Sequence, residues 1–419
     1  MHPAIVTPHS WSLAPFILLL AALALGPALA RDWWSRHYTL VALSLGAVAG
    51  GYYLFSLQAA AKIGQTVHEY LSFVTLVGSL FVVAGGIHIR VGGRAGPGRN
   101  TVFLLAGAVL ANVLGTTGAA MLLIRPWLRF NEARIQAHHL VFFIFLVANV
   151  GGGLTPIGDP PLFLGYLQGV PFWWVARHCW PIWAVAVGWL LAVFYLLDKQ
   201  HHSRAVEPGT GAEIPTHWGL AGGGNLFFLA VILGAVFVDH PVYLREGLMA
   251  AAAAGSFFTT PRSVHKANGF NFHPLIEVAV VFAGIFATMM PALDWLRAAA
   301  AHWPAPTPGR LYWGTGLLSS LLDNAPTYLA FFNILAGGAG GADTATWLAG
   351  QAAGVAAISM GAVCFGAATY IGNGPNFMVK ALAEERKIPM PSMLGYVGGY
   401  ALPWLLPMLG IVWLVFFRA

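Results

Sequence analysis

Apolar stretches, each about as long as a helix must be to cross a bilayer, recur from one end of this 419-residue chain to the other. In hydrocarbon no water can satisfy a backbone N–H or C=O, so each stretch has to be a helix or part of one. They fall near 11–30, 38–58, 70–89, 136–167, 172–197, 224–239, 241–258, 274–296, 346–379 and 392–417. Only 9% of residues are charged and 58% are hydrophobic, against roughly 25% charged in soluble domains. The expectation is an all-α polytopic membrane protein whose main partner is the lipid bilayer. The net charge of +6 does not imply nucleic acid, because the basic residues sit in short runs between apolar segments.

Two further apolar segments, 102–124 and 311–336, are broken near their middles by Asn112-Val113-Leu114-Gly115-Thr116-Thr117-Gly118 and by Ser319-Ser320-Leu321-Leu322-Asp323-Asn324-Ala325-Pro326-Thr327. Half-segments that short cannot span, so each is expected to be a re-entrant hairpin. Arg90, Arg94 and Arg99 precede the first; Arg125, Arg129 and Arg134 follow it. A hairpin keeps both triplets on one side. With the N-terminus outside and both hairpins re-entrant, 15 of the 21 Lys and Arg lie on the cytoplasmic side. The expected location is the cytoplasmic membrane of a bacterium.

The first span, 11–30, ends in Ala28-Leu29-Ala30 like a cleavable signal, but no Lys or Arg precedes it, so a retained span is expected. Cys179 and Cys364 read as core residues. The polar stretch Asp198–Gly223, with His201 and His202, reads as a solvated linker, and Ala336–Ala342 as a Gly-rich loop. The division is then 1–37 as an extra N-terminal span and 38–197 as repeat 1 (hairpin 102–124, broken helix 136–167). A linker and connecting span, 198–240, lead to repeat 2 at 241–419 (hairpin 311–336, broken helix 346–379).

The repeat rests on landmarks that occur twice. The tip Asn112–Gly118 answers to Asp323–Thr327. The break Asn149-Val150-Gly151-Gly152-Gly153-Leu154-Thr155-Pro156-Ile157-Gly158-Asp159-Pro160-Pro161 answers to Gly366-Ala367-Ala368-Thr369-Tyr370-Ile371-Gly372-Asn373-Gly374-Pro375-Asn376. One hairpin enters from each side, so the halves are inverted. Inverted repeats with discontinuous helices mark secondary transporters, with the site near the midplane.

Broken helices expose carbonyls, and with Asn, Thr and Asp oxygens they suit a hard cation or a proton. Asp159 and Asp323, at membrane depth with no Lys or Arg in either motif, are the leading cation or proton ligands. The competing role for each is capping a half-helix N-terminus. Asn149, Thr155, Asn324, Thr369 and Asn373 join them; Asn112, Thr116, Ser320, Thr327 and Asn376 are secondary candidates for the substrate. His68, Glu69 and Glu277 open predicted spans and read as interfacial, as do His138 and His139; Met289-Met290 reads as core. No zinc-hydrolase motif or nucleophile elbow is present, so an enzyme is not expected.

These motifs resemble the ion-transporter superfamily, which includes NhaD-type sodium/proton antiporters, citrate–metal symporters, arsenite permeases and dicarboxylate/sodium symporters. Thr155-Pro156-Ile157-Gly158-Asp159 and Ser319-Ser320-Leu321-Leu322-Asp323-Asn324-Ala325-Pro326 look most like the NhaD type, and the chain also resembles CitMHS-like citrate transporters. The resemblance implies a scaffold and a transport subdomain in each protomer, a homodimer and an elevator-like movement. It also implies Asn149, Thr155, Asp159, Asp323, Asn324, Thr369 and Asn373 as site residues. Dicarboxylate symporters carry Ser-Asn-Thr at both tips, which this chain lacks. The expected function is therefore Na⁺(Li⁺)/H⁺ antiport, with Na⁺ or Li⁺ and H⁺ as transported ions and no other cofactor. The alternative is a carrier of citrate or another carboxylate coupled to H⁺ or cations.

Overall fold

The computed structural model describes residues 8–93, 95–202, 219–238, 240–300, 302–337 and 344–418. Most are helical; among the described residues the only sheet is a ribbon of His88–Arg90 (β1) against Gly219–Ala221 (β2). Helix α1 (Ala14–Leu29) turns at Ala30 into α2 (Arg31–Gly51, extended by a π-helical turn, Tyr52–Ser56). Helix α3 spans Ala60–Gly85 and so starts at 60, not 70; His68 and Glu69, expected at its mouth, lie inside it. Helix α2 likewise starts at 31 rather than 38; a hydropathy scan cuts off the polar outer turns of both helices.

Helix α4 (Pro97–Phe130) looks long enough to cross the membrane but folds back on itself at Gly115, whose φ of +74° is open to glycine at little cost. Asn100 Nδ2 donates to Asn131 Oδ1 at 2.8 Å, and the Phe103 and Trp127 rings are 5.1 Å apart. A straight helix would put Asn100 and Asn131 roughly 45 Å apart at 1.5 Å per residue. The segment is a re-entrant hairpin. The second hairpin is α12 (Pro308–Leu321) and α13 (Asn324–Ala336); Phe331 lies against Gly314, on the other side of the Leu322-Asp323 tip.

The first broken helix is α5 (Ala137–Leu146) and α6 (Pro160–Leu167), and α7 (Trp174–His202) follows. Leu140 through Ala148 are all 0% exposed, as expected of a helix apolar all round. Helices α8 (Asn225–Ala235), α9 (Leu244–Thr259), α10 (Arg262–Ala267) and α11 (His273–Ala300) lead to the second hairpin. Beyond it, the short α14 (Thr344–Gly350) meets α15 (Ala352–Phe365) at a bend of 79°. The second broken helix is thus α15 and α16 (Gly374–Glu385), starting at 352 rather than 346, and α17 (Met393–Phe417) ends the chain. Leu40, Phe227 and Phe258 on α2, α8 and α9 are exposed and suited to lipid. Cys179, Cys364, Met289 and Met290 are buried, as expected. Most of the Gly-rich loop expected at Ala336–Ala342 lies outside the described residues.

The two ends of the bundle are told apart by what meets there. At the arginine-rich end, Asp198 of α7 is fully buried, although it was expected to open a solvated linker. Its carboxylate accepts from Arg134 and from Asn100 Nδ2, and His138 and His139 place Nε2 at 3.5 and 3.1 Å from it. His201, also expected in the linker, stacks on His138 at 4.8 Å. Helix α7 therefore runs on through His202, and residues 203–218 lie outside the described residues. An acid this deep in an apolar helix must be paired, and Arg134, four residues before His138, supplies the charge. At the other end Lys62 pairs with Asp294 at 2.9 Å, and Tyr53 donates to the same carboxylate.

The hairpin geometry has a direct check. With Cys179 and Cys364 replaced by Ala, the double variant Asn100→Cys/Asn131→Cys should oxidise to a disulfide, read as loss of maleimide labelling. A membrane-crossing α4 would leave both thiols reactive.

Candidate functional site

Each hairpin tip is fastened to a helix break by the same pattern of hydrogen bonds. Thr155 Oγ1 donates to Asn112 O (2.6 Å) and accepts from Gly158 N (3.1 Å). Thr369 Oγ1 donates to Ser320 O (2.7 Å) and accepts from Gly372 N (3.1 Å). Within each break two glycines six residues apart close on one another. A Cβ on Gly158 would come 2.1 Å from Gly152 O, and one on Gly372 would come 2.6 Å from Gly366 O. The polar groups at each break and tip are thus met by the hairpin or break of the same half rather than by water.

The shared pattern sets the register between the halves. Asn112 matches Ser320, not Asn324; Gly115 matches Asp323; and Thr116 matches Asn324. Thr155 matches Thr369, and Asp159 matches Asn373. The tip alignment expected from composition was therefore out of register: in the true one only Leu114 and Leu322 agree, and the contacts reveal the correspondence. One consequence is that the two aspartates are not equivalents.

Asp159 lies at the centre, 0% exposed. It precedes α6 but makes no cap bond with its side chain. Its Oδ1 accepts from Thr116 Oγ1 (2.8 Å) and Asn373 Nδ2 (3.1 Å), and its Oδ2 from Asn324 Nδ2 (2.6 Å). The partners come from both hairpin tips and the opposite break, and all are neutral donors. Asp323, half-buried at its tip, does cap a helix: its Oδ1 accepts from Ala325 N at 3.0 Å. The capping role applies to Asp323 and not to Asp159.

Behind Asp159 lies an amide layer. Asn373 Nδ2 also reaches Asn149 Oδ1 (3.2 Å) and Ala148 O (3.1 Å). Asn149 Nδ2 donates to Asn376 Oδ1 (2.6 Å), and Asn376 Nδ2 to Gly366 O and Thr369 O. Asn112 bridges Gly151 O and Leu154 N. Ser320 and Thr327 turn their hydroxyls back on Leu317 O and Asp323 O, so they bond to their own chain segment and not to Asp159. Pro160, Pro161, Pro326 and Pro375 stand in the first turns of α6, α13 and α16 and remove donors there. Four half-helix N-termini converge, each equivalent to about half a positive charge, yet few free N–H groups accompany them. The arrangement offers oxygen atoms and one carboxylate with no fixed counter-cation. Beside the first tip there is a cavity of about 20 Å³ lined by Gly115, Thr116, Pro156 and Phe163, room for about a water molecule.

Two polar features escaped the sequence reading. The Asp198 cluster was signalled by the lone acid of an apolar helix, a pattern that should always prompt a search for its partner. The other is Arg297, in the last turn of α11, beside a cavity at the end away from the arginine-rich face.

Over residues 6–417 the chain matches the model of a family described as "Putative citrate transport", and it belongs to that family. No curated protein matches it in sequence.

The glycine pairs generate a test with an internal control. Gly158→Ala and Gly372→Ala should each cost about 3 kcal/mol or more through overpacking, read as a lower melting temperature in detergent. Gly374→Ala, whose Cβ would meet nothing within 4 Å, should leave it unchanged.

Proposed function

We propose that this integral membrane protein is a secondary carrier of citrate or a related carboxylate, coupled to cations or protons through Asp159. The observation that carries the reading is the environment of that carboxylate: fully buried, ringed by Thr116, Asn324 and Asn373, and without a basic partner. A carboxylate substrate entering such a site meets a like charge, worth several kcal/mol in a medium of low dielectric. It can pass only with a positive charge beside it, as a proton on Asp159, a bound cation or a cation carried on the substrate. Membership of a citrate-transport family supports a carboxylate as the cargo. The converging half-helix N-termini favour negative charge once that compensation is present.

The hairpins and broken helices are joined by hydrogen bonds through both halves, so they would move as one body past α2, α3, α9 and α11. That is an elevator-type movement, and a homodimer is the arrangement in which the remaining helices would stay fixed. Na⁺(Li⁺)/H⁺ antiport is the second reading, favoured by one feature: every ring member around Asp159 is neutral, so a proton and a metal cation could compete for it.

Proteoliposomes carrying the purified chain separate the two. Citrate uptake driven by an inward cation or proton gradient is expected, and Asp159→Asn should abolish its cation or proton dependence. Proton movement on adding Na⁺ or Li⁺ alone, with no citrate uptake, would replace this reading with antiport. Asp323→Asn should retain most transport, since Asn caps a helix about as well as Asp, whereas Asp323→Ala should lose about 1 kcal/mol of stability.

A further inference from the structure

The central site holds no fixed cation to select a carboxylate, so selection has to happen elsewhere on the path. Two cavities, of about 480 and 200 Å³, open away from the arginine-rich face and share Gln65 and Glu69 of α3 as lining. The smaller lies between α3 and α11 on one side and the ends of α6 and α13 on the other, where Gln168 and Asn333 face it. It thus bridges the helices proposed to stay fixed and those proposed to move.

Of the charges around these cavities, Lys62 and Arg245 are held in ion pairs, and Glu69 and Arg297 are not. Lys62 is held by Asp294, and Arg245 by Glu246. Glu69 accepts from Gln65 Nε2 at 2.9 Å. His68, on the larger cavity, stacks edge-on with Tyr243. Arg297, half-buried, makes no ion pair or hydrogen bond among the described residues and its Nε is buried without a partner; the Glu69 carboxylate attracts it across the cavity without pairing with it. A guanidinium removed from water without a partner is costly, and its planar fork matches a carboxylate at two points.

We propose that Arg297 is the carboxylate-recognition residue of an outer binding site, in the cavity it shares with Gln168 and Asn333, where a di- or tricarboxylate is captured before it reaches Asp159. This rests on the carboxylate-carrier reading. Glu69 faces the same cavity and sets a threshold: a monocarboxylate gains too little from Arg297 to offset it, whereas a polycarboxylate carries enough charge to do so.

The test is calorimetric titration of citrate into the detergent-purified full-length chain. Arg297→Gln should weaken binding by about 30-fold or more, and Arg297→Lys should fall between, since it keeps the charge and loses the fork. Glu69→Gln should tighten binding. Gln168→Glu offers Arg297 an internal partner and should weaken citrate binding without lowering the melting temperature, a result that does not depend on whether Arg297→Gln folds. Citrate binding by the wild type that is equal in Arg297→Gln and Gln168→Glu would overturn the site while leaving the carrier reading intact. Failure of the wild type to bind or transport citrate would overturn both.

Discussion

Backbone polar groups that leave a helix inside a bilayer must find partners in the protein, and the centre of this structure is organised around that requirement. Four half-helices end there, and the side chains that meet the freed groups are Thr155, Thr369, Asn112, Asn149, Asn373 and Asn376. Half of these bonds run from a break to a hairpin tip, so the two elements stabilise one another. The closure of Gly152 on Gly158 and of Gly366 on Gly372 belongs to the same constraint, since any side chain there would push the carbonyl away from its donor.

The arrangement also sets the electrostatics. Three neutral donors suffice to hold Asp159 in place without a fixed counter-charge. No lysine or arginine stands in the ring to neutralise it. Fixed positive charge is placed instead at the two ends. Arg134 and two histidines surround Asp198 and tie the mouth of the first hairpin to α7. At the far end Lys62 and Arg245 are paired and Arg297 is not. Under the proposed function, the distribution suits a path that would attract an anion at its entrance and demand compensation at its midpoint.

The two halves are alike in hydrogen bonds and unlike in residues. Thr155 and Thr369 do the same work, whereas Asp159 has Asn373 as its counterpart and Asp323 has Gly115. A carboxylate at only one of each pair of positions breaks the symmetry of an otherwise repeated scaffold. That asymmetry places both hairpin tips on one carboxylate, which a fully symmetric repeat would not do.

By itself the sequence determined the class of fold, both hairpins and both breaks, because each is written in local composition: apolar length, and clusters of Gly, Pro, Asn and Thr where apolar length fails. Tertiary structure alone decided which tip residue faces which, since hairpin tips that agree only at Leu114 and Leu322 are aligned by what they touch. It decided that Asp323 caps while Asp159 does not, a matter of one backbone N–H within reach. It also drew Asp198 and His201 out of an apparent linker and left Arg297 beside a cavity without a partner. Pairing between residues far apart in sequence depends on how helices pack, and local composition carries no record of that.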